Sequence, residues 1–118
     1  MVGKTTAREE RVDRIFRALA DRTRRDIVRR AMGGTLSVSG LARRYPMSTT
    51  AVQKHVAVLE AAGLVHRTRR GREQLVQTNI DTVAEASALL AQFEQLWRDR
   101  LGRIGDVLAE TTTRGAER

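Results

Sequence analysis

Thr49, Thr50, Gln53 and Lys54 are the residues whose types and spacing could do specific chemistry. A glutamine amide can pair bidentately with adenine, and a lysine can reach guanine acceptors or a phosphate. A threonine can touch a thymine methyl or a phosphate. All four fall on one side of a helix read over residues 48–62. Ser48 is placed to cap it by accepting a backbone N–H, and Val52, Val56, Leu59 and Ala62 recur at fours and threes as a buried stripe. Gly63 ends it. Short or amide side chains near a helix N-terminus suit base edges, where a long acidic side chain would be repelled by phosphate. The chemistry is recognition: no nucleophile–base–orienter set, paired carboxylate site or phosphate-binding glycine loop is visible, so an enzyme is not expected.

The next segment, residues 64–78, reads as two short strands around an arginine-rich turn, a wing beside the recognition helix. Arg67, Arg69, Arg70 and Arg72 put four charges of one sign around Gly71. Charge alone can protect an edge hairpin from aggregation, but this concentration favours contact with a nucleic-acid backbone or minor groove, led by Arg70 and Arg72 beside the tip. Ser48 and His55 join them as backbone contacts, His55 also packing beside Val56. His66 has no second histidine or cysteine nearby, so neither a metal site nor a cofactor is expected.

Composition supports a polyanionic partner. The 118 residues carry 22 Lys and Arg against 14 Asp and Glu, a net charge of +8. Residues 8–72 hold 16 basic and 6 acidic side chains, whereas residues 81–110 hold 3 and 6, so the excess is regional. There is no cysteine, which excludes disulfides, thiolate metal sites and cysteine redox switching. No apolar run approaches the roughly 20 residues of a membrane span and no signal-peptide pattern opens the chain, so a cytoplasmic protein without membrane contact is expected. Two other functions compete with duplex binding: a protein-interaction module with an acidic partner, and an RNA binder. Against single-stranded RNA stands the shortage of stacking platforms, aromatics being 3% of residues.

The remaining elements must position these groups. One domain is expected over residues 8–110, with flexible ends at 1–7 and 111–118. Val12, Ile15, Phe16 and Leu19 mark a first helix from about Arg8 to Ala20. Asp21 or Thr23 can cap a second, reaching Met32, with Arg24, Arg25, Arg29 and Arg30 largely outward. A short extended piece covers residues 35–38, Ser39 starts a third helix, and Pro46 closes it. Asn79 or Asp81 can cap a long last helix over about residues 81–110. Its apolar residues, among them Leu90, Phe93, Trp97, Leu101, Ile104 and Leu108, form a face too broad for so small a domain to cover. With Val12 and Phe16 of the first helix they are the expected dimer interface. The fold class is mainly α with a small β-hairpin wing, a winged helix-turn-helix with terminal dimerisation helices.

With those parts in place, about residues 12–108 resemble the ArsR-type winged-helix regulators. The resemblance lies in residues 16–27, Leu41-Ala42, the stretch from Met47 to Val56, Leu59-Glu60-Ala61-Ala62-Gly63-Leu64-Val65, and Arg69-Arg70-Gly71-Arg72. It implies a homodimer joined through terminal helices, two recognition helices in successive major grooves of an inverted-repeat operator in double-stranded DNA, and repression relieved by an effector. Metal-sensing relatives carry a cysteine pair in the third helix, where this chain has Ser39-Gly40-Leu41-Ala42-Arg43, or Asp and His ligands in the last helix, which here has no His. The chain is similar to the subgroup without a metal site, which leaves an unknown small molecule as the effector to consider.

Overall fold

A computed structural model describes residues 6–116; residues 1–5 and 117–118, at the expected flexible ends, lie outside the described residues. Helix α1 (Ala7–Leu19) starts earlier than its apolar spacing indicates, because Thr6 Oγ1 accepts from Glu9 N (3.1 Å) while the Glu9 carboxylate accepts from Thr6 N (3.3 Å). This capping box satisfies two backbone donors that the helix leaves unpaired.

Helix α2 (Arg22–Met32) is capped by Asp21, whose Oδ2 accepts from Arg24 N at 2.9 Å, so of the two candidates Asp21 is the cap residue. Arg24, read as outward, is half-buried and reaches back to α1, and Arg25 reaches the same helix end while staying exposed as read. Arg24 donates to Ala18 O (2.8 Å) and Arg17 O (3.1 Å), and Arg25 donates to Leu19 O (2.8 Å). Of these carbonyls only Arg17 O also accepts from the helix's own cap, Ala20 N (3.2 Å), and all lie at the negative end of the α1 dipole, so guanidinium groups reaching over from the next helix are favourably placed.

Strand β1 (Leu36–Ser37) and helix α3 (Val38–Ala42) follow. Ser37, rather than Ser39, caps α3, its Oγ accepting from Gly40 N at 3.0 Å. The helix ends well before Pro46, and residues 43–47 form the turn into α4 (Thr49–Ala61). Strands β2 (Val65–Arg70) and β3 (Glu73–Thr78) are the hairpin. The extended piece joins it: the antiparallel sheet runs β1-β3-β2, with Leu36 opposite Val76 and Ser37 opposite Leu75. Gly71, at φ +62°, takes the first position of a two-residue loop, which fits a type II′ hairpin turn.

Helix α5 (Ile80–Ala116) begins after Asn79, whose Oδ1 accepts from Asp81 N, and it continues through residues 111–116, which composition had assigned to a free end. Thr111 Oγ1 donates back to Val107 O (2.9 Å), giving the hydroxyl a partner inside the helix. The chain divides into a compact body through Ala86 and a helical segment from Ser87. In the body, Ile15, Ile27, Leu41, Val52, Val56, Leu59, Leu64, Val65 and Val76 are fully buried. In the helical segment, Leu90, Phe93, Trp97, Leu101, Ile104 and Leu108 are all exposed, Trp97 at 57% and Leu101 at 47%. A Cβ at Gly102 or Gly105 would meet nothing within 4 Å, so no close approach within the chain requires these glycines. Among the described residues no helix is long and apolar enough to cross a membrane, and no cluster of His, Asp and Glu could hold a metal ion.

The turn before α4 is held by Asp26. Its Oδ2 accepts from Tyr45 Oη (2.6 Å) and Arg30 Nε (2.8 Å), and Oδ1 accepts from Arg29. The tyrosine bond and the two guanidinium groups hold the Asp26 carboxyl down at about 2, while burial and this neighbouring anion push Tyr45 up to about 12. Tyr45→Phe deletes only the hydroxyl and should cost about 1–2 kcal/mol in urea unfolding at neutral pH. The folded carboxyl sits below its ordinary 3.8, so the stabilisation is complete above that value and is lost as pH falls through about 2. The wild-type protein should weaken over that window and Tyr45→Phe less steeply; parallel acid limbs would show that the Tyr45 bond does not carry the effect.

Candidate nucleic-acid interface

Val52, Val56 and Leu59 of α4 are completely buried, and this one-sided burial leaves Thr49, Thr50, Gln53 and Lys54 exposed. Ser48 Oγ accepts from Ala51 N at 3.1 Å and so starts the helix, while its O–H donor remains at an exposed position. At the other end Gly63, at φ +76°, follows the last turn. Gly63 N donates to Glu60 O (2.9 Å) and Leu64 N to Leu59 O (2.9 Å), with Leu59 and Leu64 both buried at the same end. That is the Schellman arrangement, and the left-handed backbone explains the glycine. α4 is therefore fixed at both ends as well as along its inner face.

Two different structures flank its outer face. On one side a groove of about 280 Å³ is lined by Thr49 and Gln53 of α4, Ser39 of α3, and Arg69, Arg72, Glu73 and Gln74 of the wing. Arg69 lies opposite Gln74 across the hairpin. Arg69 and Arg72 are thus the wing arginines brought to the recognition helix. Arg70 is exposed at the turn, paired in register with Glu73, and does not line this groove. The sequence had favoured Arg70 with Arg72 because both border Gly71, a criterion that ignores which face each side chain takes. Ser39, Glu73 and Gln74 went unremarked; alternation along β3 could have pointed to Gln74.

Arg67 has a different setting. Its Nε (3.2 Å) and Nη2 (2.8 Å) both donate to Glu60 Oε1, and this bridge lowers the Glu60 carboxyl below its ordinary value. It ties β2 to the last turn of α4. On the opposite side of α4, half-buried His55 places Nδ1 3.3 Å from Arg24 Nη1 and 3.9 Å from Asp21 Oδ2. This histidine meets the first turn of α2, a polar junction that its place beside Val56 did not reveal. Val12 and Phe16, offered as dimer residues, are both half-buried, Phe16 against the core.

The chain matches the helix-turn-helix domain family over residues 19–68. The HTH-type transcriptional regulator Rv2034 of Mycobacterium tuberculosis is 40% identical over 85 residues, 72% of this chain and 77% of that protein. An ArsR-like transcriptional regulator from Rhodococcus sp. RHA1 superposes with a TM-score of 0.72 at 31% identity, covering 83% of this chain and 92% of that one. The homodimeric winged helix-turn-helix DNA-binding domain of Mb0332 from Mycobacterium bovis superposes with a TM-score of 0.62, covering 80% of this chain and 92% of that one; at 22% identity it speaks to the fold.

The Glu60–Arg67 bridge can be tested without DNA. Glu60→Gln, Arg67→Gln and the double variant form a cycle, and both side chains are partly exposed, so a coupling of about 0.2–1 kcal/mol is expected in urea unfolding. Strict additivity would show that the bridge does not hold the wing to α4.

Proposed function

Because the chain belongs to the ArsR family of winged helix-turn-helix transcriptional regulators, we propose that it acts as a dimeric repressor on an inverted-repeat operator. The observation that carries this is the outer face of α4: four polar, non-acidic side chains are exposed along its N-terminal turns, and two wing arginines share a groove with two of them. In this reading Gln53 and Lys54 read base edges, and Thr49 and Thr50 contribute methyl or phosphate contacts. Arg69 and Arg72 neutralise phosphates on the wing side, and Arg70 adds charge at the tip. Ser48 starts the helix. Arg67 and His55 hold the reading surface in place, Arg67 toward the wing and His55 toward α2. A transcriptional regulator of this kind works in the cytoplasm and needs no catalytic group.

Dimerisation is supported by the exposed stripe of α5. Eight large apolar residues from Leu90 to Leu108 are exposed in the single chain, including Phe93, Trp97, Leu101 and Ile104. A contiguous apolar face of that kind on a small protein is satisfied by a second copy. The homodimeric Mb0332 domain provides a precedent on the same fold. The lack of cysteine and of histidine in α5 turns the effector question away from soft metals and toward a small organic molecule.

Selection from a randomised duplex pool should enrich an inverted repeat with half-site centres about 10 base pairs apart. Gln53→Ala should cost about 1–3 kcal/mol on that site and relax one position per half-site. Arg69→Ala and Arg72→Ala should each shallow the salt slope of the dimer by about 1.8, about 0.9 per protomer, without changing base preference. Enrichment of no sequence would favour the interaction-module reading; altered base preference in the wing variants with none in Gln53→Ala would reverse the roles.

Leu101→Arg tests the dimer separately. A guanidinium placed in the apolar stripe should yield monomers by sedimentation, with the body through Ala86 still folded by its circular dichroism. A variant that remains dimeric and binds the selected duplex normally would move the interface elsewhere.

A further inference from the structure

The wing is one of two structures that flank α4. Opposite it, where His55 meets Arg24, lies the first turn of α2, and beside that turn is an open recess of about 460 Å³. Arg22, Thr23, Arg25, Asp26, Arg29 and Tyr45 line it. Arg22, Arg25 and Arg29 lie at spacings of three and four, so they share one face of α2. Asp26 is already matched by Arg29, Arg30 and the Tyr45 hydroxyl. Arg25 uses one guanidinium nitrogen on Leu19 O and keeps its others. Arg22 is exposed and has no hydrogen-bond or ion-pair partner among the described residues. The recess therefore presents surplus positive charge.

Resting on the duplex-binding reading above, we propose that this recess is a second anchoring site for the phosphodiester backbone, across α4 from the wing. A helix lying in a major groove has a sugar–phosphate strand on either side of it. The wing-side groove, with Arg69 and Arg72, serves one strand. The α2 recess, with Arg22 as its free cation and Arg25 beside it, serves the other. Arg24 and His55 tie α2 to α4 directly, so the second anchor is held in register with the reading face. A contact of this kind positions the protein and carries no base information. A phosphodiester is favoured over an acidic peptide because Arg22, Arg25 and Arg29 share one face of α2, and Arg24 of that helix contacts His55 of α4.

Arg22→Gln, Arg22→Lys and Arg22→Gln/Arg25→Gln would be titrated against the selected duplex over a range of salt, with inorganic phosphate binding measured in parallel. Because the dimer carries two copies, Arg22→Gln should shallow the salt slope by about 1.8, about 0.9 per protomer, and the double variant by about twice that, leaving base preference intact. Arg22→Lys should restore the wild-type slope, which a folding defect would not allow. Ethylation interference should map the lost contact to the strand not contacted by the wing. Wild-type slopes in the glutamine variants would overturn the proposal, as would loss of phosphate binding alone, which would make the recess a free-anion site. A wild-type protein that selects no duplex, with binding to an acidic peptide instead, would remove the DNA reading and this proposal together.

Discussion

The burial of Val52, Val56 and Leu59 is the constraint on which the site depends. Each is completely removed from solvent, and large-to-small changes at such positions commonly cost about 2–5 kcal/mol, so α4 has no freedom to rotate about its axis. Once the inner face is fixed, helical geometry alone determines that positions 49, 50, 53 and 54 look outward. The outward set is thus a by-product of core packing, and in the proposed function its rigidity is what would hold a side chain in place for bidentate contact with a base.

Charge is distributed around that fixed helix in two roles. Some arginines have partners within the fold: Arg24 and Arg25 reach the carbonyl end of α1, Arg29 and Arg30 pair with Asp26, and Arg67 grips Glu60, although Arg25 and Arg29 also stay exposed to solvent. Others, including Arg22, Arg69, Arg70 and Arg72, remain exposed on or beside the sides of α4. The strongly basic balance of residues 8–72 is therefore not all footprint. A substantial part of it makes contacts within the fold, and Arg69 and Arg72 line the groove beside Thr49 and Gln53.

Much of the fold was legible in the residues. The four-and-three spacing of the α4 stripe, Ser48 before it and Gly63 after it were sufficient for the recognition helix, since each local preference agrees with the tertiary packing. The wing followed from Gly71 between two short β-prone runs. What escaped reading was long-range or face-dependent. Tyr45 reaching Asp26 spans 19 residues, and nothing local to Tyr45 announces it. Arg24 and Arg25 look like solvated charges until the end of α1 is placed beside them. Proximity to Gly71 singles out Arg70 and Arg72, whereas the groove beside α4 is lined by Arg69 and Arg72, a grouping that only the folded hairpin shows. Thr6 and Glu9 did carry a readable capping box, overlooked because the segment had been assigned to a free end.

The central claim is that α4 enters the major groove of a specific duplex with backbone on both sides of it. Footprinting the wild-type dimer on the DNA upstream of its own gene tests this most directly, using hydroxyl radicals for the backbone and guanine N7 methylation for the groove. The account predicts two protected patches about one helical turn apart, with backbone protection on both strands and groove protection between them. Protection of backbone without any groove protection, spread evenly along the fragment, would contradict it.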